Sequence, residues 1–265
     1  MAKFFLSASS LNMFNDCPRC FWLAVNKKLY RPRGPMPSVA TGIDLVVKEI
    51  FDHYRALNQL PEFLDGKIPG KLIPLLPRTM YAQFSPEVTL VGHLDEAIQF
   101  DDGSYAPLDH KTKNRDPQDI HPTYKLQLAV YRLLLNEKFK KVKDFGYLIY
   151  FYPVHNEETH WIRFSGSLKR IDLQDHIKEL EETIRAAAEC LKRPLPEPSD
   201  KCEFCAWSRQ VQDFRLSPLL EAAEPIQPGT TSKEESEPPS AVAHDATDLP
   251  EETPDAENEN PDTLF

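Results

Sequence analysis

No apolar run in the 265 residues approaches the roughly 18–20 that a membrane-spanning helix needs, which argues against a helical membrane protein. The start, Met1-Ala2-Lys3-Phe4-Phe5-Leu6-Ser7, lacks the long apolar stretch of a secretory signal, so the expected compartment is the cytoplasm. There is no internal repeat. A content of 41% hydrophobic and 27% charged residues suits a soluble globular protein.

The last stretch has almost no bases or aromatics. From Glu221 to Phe265 there are 13 acids and one base, Lys233, a net charge of −12. The chain before it holds 28 acids and 30 bases, a net of +2, so the overall −10 does not exclude a polyanionic substrate. From about Ala223 onward the chain is rich in Pro, Glu, Asp, Ser and Thr and cannot bury enough surface to offset ordering entropy. The expected organisation is one folded domain over residues 1–220 and a disordered acidic tail over 221–265.

Within the folded part, Ser7 to Ser10 offer N-caps for a short helix carrying Leu11, Phe14 and Cys17. Arg31 to Ser38, with three prolines, reads as a loop. Gly42 to Leu57 has helical periodicity, with Ile43, Val46, Val47, Ile50 and Tyr54 on one face and Asp44 and Lys48 beside it. Leu60 to Pro77, with four prolines, reads as loops and short pieces. Val88 to Phe100 and Tyr105 to Lys111 read as strands joined by the turn Asp101-Asp102-Gly103. Pro122 to Asn136 is an expected helix with Leu126, Val130, Leu133 and Leu134 inward. Phe145 to Pro153 and Thr159 to Phe164 are expected strands, and Leu168 to Leu191 an amphipathic helix. A loop with Pro194, Pro196 and Pro198 leads to Cys202. This order is a mixed α/β core.

The chemistry concentrates in two segments, Val91-Gly92-His93-Leu94-Asp95-Glu96 and Pro107-Leu108-Asp109-His110-Lys111-Thr112. A hairpin between them would bring Asp95 near Asp109, and two carboxylates on adjacent strands supply hard oxygen ligands for Mg²⁺ or Mn²⁺. Asp109 and Lys111 are two apart and on a strand share a face. A metal that activates water, beside a cation that stabilises developing charge, is what phosphodiester hydrolysis needs. On the following helix Gln127 and Tyr131 are spaced i, i+4, with Tyr124 on much the same face. Each feature alone is ordinary, because surface Asp, Asp-x-Lys and Gln-x-x-x-Tyr all occur by chance. Their order, spacing and matching secondary structure carry the argument.

Together these residues resemble the PD-(D/E)XK nuclease superfamily, whose pattern is an Asp on one strand and Asp or Glu, any residue, and Lys on the next. The resemblance is to the RecB-like branch, including its CRISPR-associated exonucleases, which adds the helical Gln-x-x-x-Tyr. The start, Ser7-Ala8-Ser9-Ser10-Leu11-Asn12-Met13-Phe14-Asn15-Asp16-Cys17-Pro18, is similar to that branch as well. The resemblance spans about Leu6 to Trp207. It implies a restriction-endonuclease-like α/β fold, a central mixed sheet flanked by helices, and a Mg²⁺- or Mn²⁺-dependent deoxyribonuclease. The expected activity is that of an exonuclease in repair, recombination or defence. It further implies Asp95, Asp109 and the carbonyl of His110 as metal ligands, Lys111 as catalytic lysine, and Gln127 and Tyr131 as supporting or DNA-contacting groups. In one respect the chain departs from the branch, whose relatives carry a helical His about four residues after a Gly. Counting from Gly42 reaches Val46; Asp44 or Glu49 would have to substitute, with His53 one to two turns further on. A non-catalytic DNA-binding or assembly module of the same fold is the alternative reading, and a structural metal-bound interaction protein a third.

Cys17-Pro18-Arg19-Cys20 and Cys202-Glu203-Phe204-Cys205 are two Cys-x-x-Cys pairs, which in a cytosolic protein more often bind metal than form disulfides. Four thiolates hold Zn²⁺ or a [4Fe–4S] cluster. In RecB-like and AddB-like relatives one N-terminal and three C-terminal cysteines hold an iron–sulfur cluster. Here Cys20 would supply the ligand missing at Val211, and that resemblance favours iron–sulfur over zinc. Either would staple a very long loop. Cys190 reads as a packing residue. The end, Asn260-Pro261-Asp262-Thr263-Leu264-Phe265, loosely resembles tips that bind repair enzymes or sliding clamps. By that resemblance the partners beside DNA would be a helicase or nuclease subunit, a single-stranded DNA-binding protein or a sliding clamp; the plainer reading, which the composition favours, is a solubilising tail.

Overall fold

The computed structural model describes residues 3–32, 34, 38–64 and 66–213; the acidic tail and its Leu264-Phe265 end lie outside them. Two sheets form the scaffold. The larger has the order β2 (Lys71–Leu72), β5 (Glu96–Gln99), β6 (Tyr105–Thr112), β7 (Phe145–His155), β8 (Ile162–Asp172). All its pairs are antiparallel except β6 with β7, which run parallel from Leu108↔Tyr147 to Thr112↔Phe151. A parallel pair requires a crossover, and α4 (Pro122–Phe139) is that crossover. The smaller sheet has the order β1 (Phe4–Leu6), β4 (Val88–Gly92), β3 (Met80–Gln83).

Local chemistry explains the element ends. Ser7 and Ser10 form a reciprocal capping box at the start of α1 (Ala8–Asp16), each side chain accepting the other's backbone N–H, at 3.2 and 2.8 Å. Pro18 opens α2 (Pro18–Lys27), where its missing N–H costs nothing, and the left-handed Lys28 closes it. Pro122 opens α4 in the same way behind the His121 N-cap. Asp102 Oδ1 accepts the Ser104 N–H at 2.9 Å, and Gly103 supplies the positive φ of the β5–β6 turn.

Side-chain alternation along β6 divides the larger sheet into two faces. On one, Leu108 packs with Val47 and Phe51 of α3 (Ser38–Ala56). The opposite face receives α4. That helix presses closely on the smaller sheet too: a Cβ added at Gly92 of β4 would lie 2.6 Å from Leu134 Cδ1. A second core joins α1, β4, α4 and α5 (Gln174–Lys192) through Leu11, Leu90, Val130, Leu134 and Ile184. The last described helix is α6 (Glu203–Asp213).

Four expectations change. Val88 to Phe100 is two strands in different sheets, with a bend at His93–Asp95 between β4 and β5. Leu168 to Asp172 extends β8 along β7 rather than opening the helix, which begins at Gln174. The buried side chains of α3 are Val47 and Phe51, whereas Val46 and Ile50 are exposed. On α4 the buried face is Leu128, Ala129, Val130, Tyr131, Leu134 and Leu135, with Leu126 and Leu133 at its edge.

Candidate functional site

Asp109 and Lys111 project from the α4 face of β6, two residues apart as a strand requires. Lys111 Nζ lies 2.6 Å from Asp109 Oδ2, and Asp109 is 1% exposed. Burial pushes the Asp109 carboxyl up to about 7; the Lys111 charge opposes this and the neighbouring Asp95 charge reinforces it. Asp95 sits at the bend before β5, one residue beyond the Glu96↔Leu108 pair, which places it opposite Asp109. From α4, Gln127 Nε2 donates to Tyr131 Oη at 2.6 Å and to Asp109 Oδ1 at 3.4 Å. Burial, then the Asp109 charge, raises the Tyr131 hydroxyl above its ordinary range, so it stays protonated.

The structure therefore gathers Asp95, Asp109, Lys111, Gln127 and Tyr131 at one end of the larger sheet. Asp44 and His110 meet on the opposite face. There His110 Nδ1 is 3.7 Å from Asp44 Oδ1 and its Nε2 3.9 Å from Asp95 Oδ2, so the imidazole stands between the two carboxylates. It stacks on Phe51 with centroids 5.9 Å apart, and burial lowers its pKa against the pull of Asp95 and Asp44. Asp44 also pairs with Lys48 at 2.7 Å. His53 packs edge-on against Tyr54 on the same helix, and Glu49 is exposed.

Three buried oxygens and nitrogens of this region have no hydrogen-bond partner: Asp109 Oδ2, His110 Nε2 and Glu96 Oε2. The Lys111 ammonium touches Asp109 Oδ2 without hydrogen-bond alignment. A buried carboxylate with a free lone pair, facing a second carboxylate, is a donor set that suits a hard divalent cation. Sequence reading did not find Glu96, which is buried and bound to Arg55 of α3 at 2.7 Å. Burial pushes its carboxyl up to about 7 despite Arg55.

A separate centre joins the chain's distant cysteines. The sulfurs of Cys17, Cys20, Cys202 and Cys205 all lie within 4.8 Å of one another, and all four are free thiols. Cys20 Sγ is 3.6 Å from both Cys202 and Cys205, and Cys17 Sγ 3.9 Å from Cys205. Burial alone would raise Cys17, but the backbone N–H groups of Cys20 and Ser199 hold its thiol down to about 7. Arg31 Nη2 donates to Cys202 Sγ at 3.5 Å, and the same guanidinium pairs with Asp16 at 2.6 Å. Among the described residues this is the one set of three or more His, Cys, Asp or Glu side chains with ligand atoms so close. Cys190 lies apart, packed at the edge of the α4–α5 core.

With this geometry in place, the comparisons decide the family. The family model described as the PD-(D/E)XK nuclease superfamily matches residues 66–210, more than half the chain. The chain belongs to the PD-(D/E)XK nuclease superfamily. The matched stretch of this superfamily member runs from Gly66 to Gln210; it includes Asp95, Asp109, Lys111, Tyr131, Cys202 and Cys205 and leaves out Cys17, Cys20 and Asp44. No curated protein matches it. A solved protein described as SSO0001 is 15% identical, with 79% of this chain and 86% of that one covered and a TM-score of 0.39. A likeness that loose carries no argument.

Proposed function

We propose that the protein is a Mg²⁺- or Mn²⁺-dependent deoxyribonuclease of the RecB-like type, acting as an exonuclease in repair, recombination or defence. The observation that carries this reading is the Lys111 ammonium 2.6 Å from the buried Asp109, with Gln127 braced against the same carboxylate and held in turn by Tyr131. Asp95, Asp109 and the His110 carbonyl would hold the divalent cation. When bound, it supplies a Lewis acid and a water acidified enough to attack phosphorus. Lys111 would orient that nucleophile and stabilise the charge gathering on the phosphoryl oxygens. Gln127 fixes the orientation of Asp109, and the neutral Tyr131 fixes Gln127. Asp44 faces this centre across the His110 imidazole, where it would steady the ring and, through it, Asp95.

The cysteine centre would hold a metal that ties the first two helices to the last described one. The resemblance to RecB-like nucleases supports a [4Fe–4S] cluster. The sulfur separations support Zn²⁺, because tetrahedral bonds of about 2.3 Å place sulfurs roughly 3.8 Å apart. Metal analysis with a visible absorption spectrum decides between them: iron with sulfide-to-iron absorption, or one colourless zinc per chain.

End-labelled single- and double-stranded DNA, incubated with the anaerobically purified protein and Mg²⁺ or Mn²⁺, tests the main reading. Cutting that EDTA abolishes is the expected result, and the product ladder gives polarity. A folded protein with a filled cysteine centre that cuts nothing would instead be a DNA-binding module of the same fold.

A further inference from the structure

Beyond Lys111 the strand β6 runs out into a loop, and this loop, the start of α4 and the ring of Tyr124 line an open cavity of about 570 Å³. Lys113 lines it, held by its backbone N–H on Phe151 O at 2.8 Å. Lys113 Nζ lies 5.0 Å and Lys111 Nζ 5.5 Å from the centre of the Tyr124 ring, so the cavity's lysine and the lysine of the nuclease site share one aromatic neighbour. Arg115 is a second cation on the wall. Neither Lys113 nor Arg115 has a carboxylate partner among the described residues.

Three further observations point to an anion. His121, the N-cap of the 18-residue α4, accepts the Thr123 N–H on Nδ1 at 3.3 Å, which leaves its Nε2 proton free to donate. The same helix start contributes the positive end of its dipole. Tyr150 lines the cavity from β7, opposite Lys111 in register, with no exposed surface and no hydrogen-bond partner for its hydroxyl. A buried hydroxyl without a partner is unfavourable unless something completes it. Of the two acids on the wall, Asp116 is already engaged, accepting from Ser167 Oγ at 2.5 Å and pairing with Lys169 at 3.5 Å. Asp119 is the other.

We propose that this cavity is a second phosphate subsite, which grips through Lys113, Arg115, His121 and Tyr150 a phosphate of the bound strand next to the scissile one. It rests on the nuclease reading for its neighbour, not for its own chemistry. A terminal phosphomonoester and an internal phosphodiester present the same oxygens, so both are candidate occupants.

The test is the binding of short fluorescent single-stranded oligonucleotides to the full chain in EDTA, where no cutting occurs. One series carries a neutral methylphosphonate at each linkage in turn; another carries a 5′- or 3′-terminal phosphate. Tyr150→Phe keeps the packing and removes only the hydroxyl, so its melting temperature should equal or exceed the wild type's. It should weaken binding about fivefold and Lys113→Gln about tenfold. At one methylphosphonate position, or on removal of one terminal phosphate, wild-type affinity should fall to the variants' level and the variants should lose nothing more. A dependence on the end group assigns the subsite to strand ends; a dependence on one linkage assigns it to the strand interior. Wild-type affinity in both variants, an equal loss on every oligonucleotide, or no binding at all overturns the proposal. If the wild type cuts nothing in Mg²⁺ or Mn²⁺ but binding keeps its Lys113- and phosphate-dependence, the nuclease reading falls and the subsite stands.

Discussion

Lys111 Nζ and Asp109 Oδ2 are 2.6 Å apart, yet Asp109 is 1% exposed and Lys111 still reaches solvent. The pair therefore has a buried acidic end and a cationic end that a substrate can touch. Lys111→Ala removes that cation from the carboxylate and from the substrate alike. Cleavage of labelled DNA should fall at least about 100-fold, the usual cost of one group that stabilises transition-state charge. Binding in EDTA should change far less. Retention of more than a tenth of the wild-type rate would remove Lys111 from the catalytic role.

Two buried carboxyls, Asp109 of this pair and the neighbouring Glu96, set a pH dependence. Asp109 and Glu96 both have folded-state values of about 7, well above an unfolded carboxyl near 4. A carboxyl raised on folding favours the fold in its protonated form. That contribution is complete below about pH 4 and is lost as pH rises through about 7. The metal-free protein should therefore show a lower melting temperature at pH 8 than at pH 6. Mg²⁺ or Mn²⁺ should recover part of the loss at pH 8 and little at pH 5, where protons occupy Asp109. Equal metal-induced shifts at both pH values would mean that the cation binds elsewhere.

The four cysteines make a prediction about stability rather than activity. A metal joining Cys20 to Cys202 closes a loop across most of the folded chain. By analogy with covalent closure of long loops this is on the order of 4 kcal/mol, or about 10 °C in melting temperature for a domain of this size. Cys202→Ser should lose the bound metal and at least that much thermal stability. Cys190→Ser should keep the metal, because that thiol lies outside the centre. Full metal content in Cys202→Ser would break the four-ligand assignment.

Much of the site was legible because its signals are local. Asp109 and Lys111 share a face by strand alternation, Gln127 and Tyr131 by helical spacing, and the Asp101-Asp102-Gly103 turn sets the β5–β6 hairpin. What failed depends on contacts far apart in sequence. The run Val88 to Phe100 has strand composition throughout, so nothing in it marks the bend at which β4 leaves one sheet and β5 enters another. Leu168 to Asp172 fits a helix or a strand, and pairing with Phe145 to Ile149 of β7 decides for the strand. Pro18 stands inside the first Cys-x-x-Cys pair, a setting that draws the eye from its other role as the first residue of α2, where proline is welcome. The Arg55–Glu96 pair joins residues 41 apart, and no local pattern announces it.

Gly92 offers a way to test whether the placement of α4 governs the site. A methyl group at this position would lie 2.6 Å from Leu134 Cδ1 and 3.6 Å from Tyr131 Cε1. Leu134 is fully buried, so its side chain can yield only by moving its neighbours or the helix. Gly92→Ala should cost about 1–3 kcal/mol of stability, the usual range for overpacking. It should also lower the cleavage rate, because any shift of α4 carries Tyr131 and Gln127 away from Asp109. Leu134→Ala opens a cavity by itself and is destabilising. Combined with Gly92→Ala it removes the atom that the new methyl meets, so the double variant should be more stable than the sum of the single losses. It should also regain part of the rate. Additive losses in both stability and rate would show that the β4–α4 contact does not position the carboxylate and its braces.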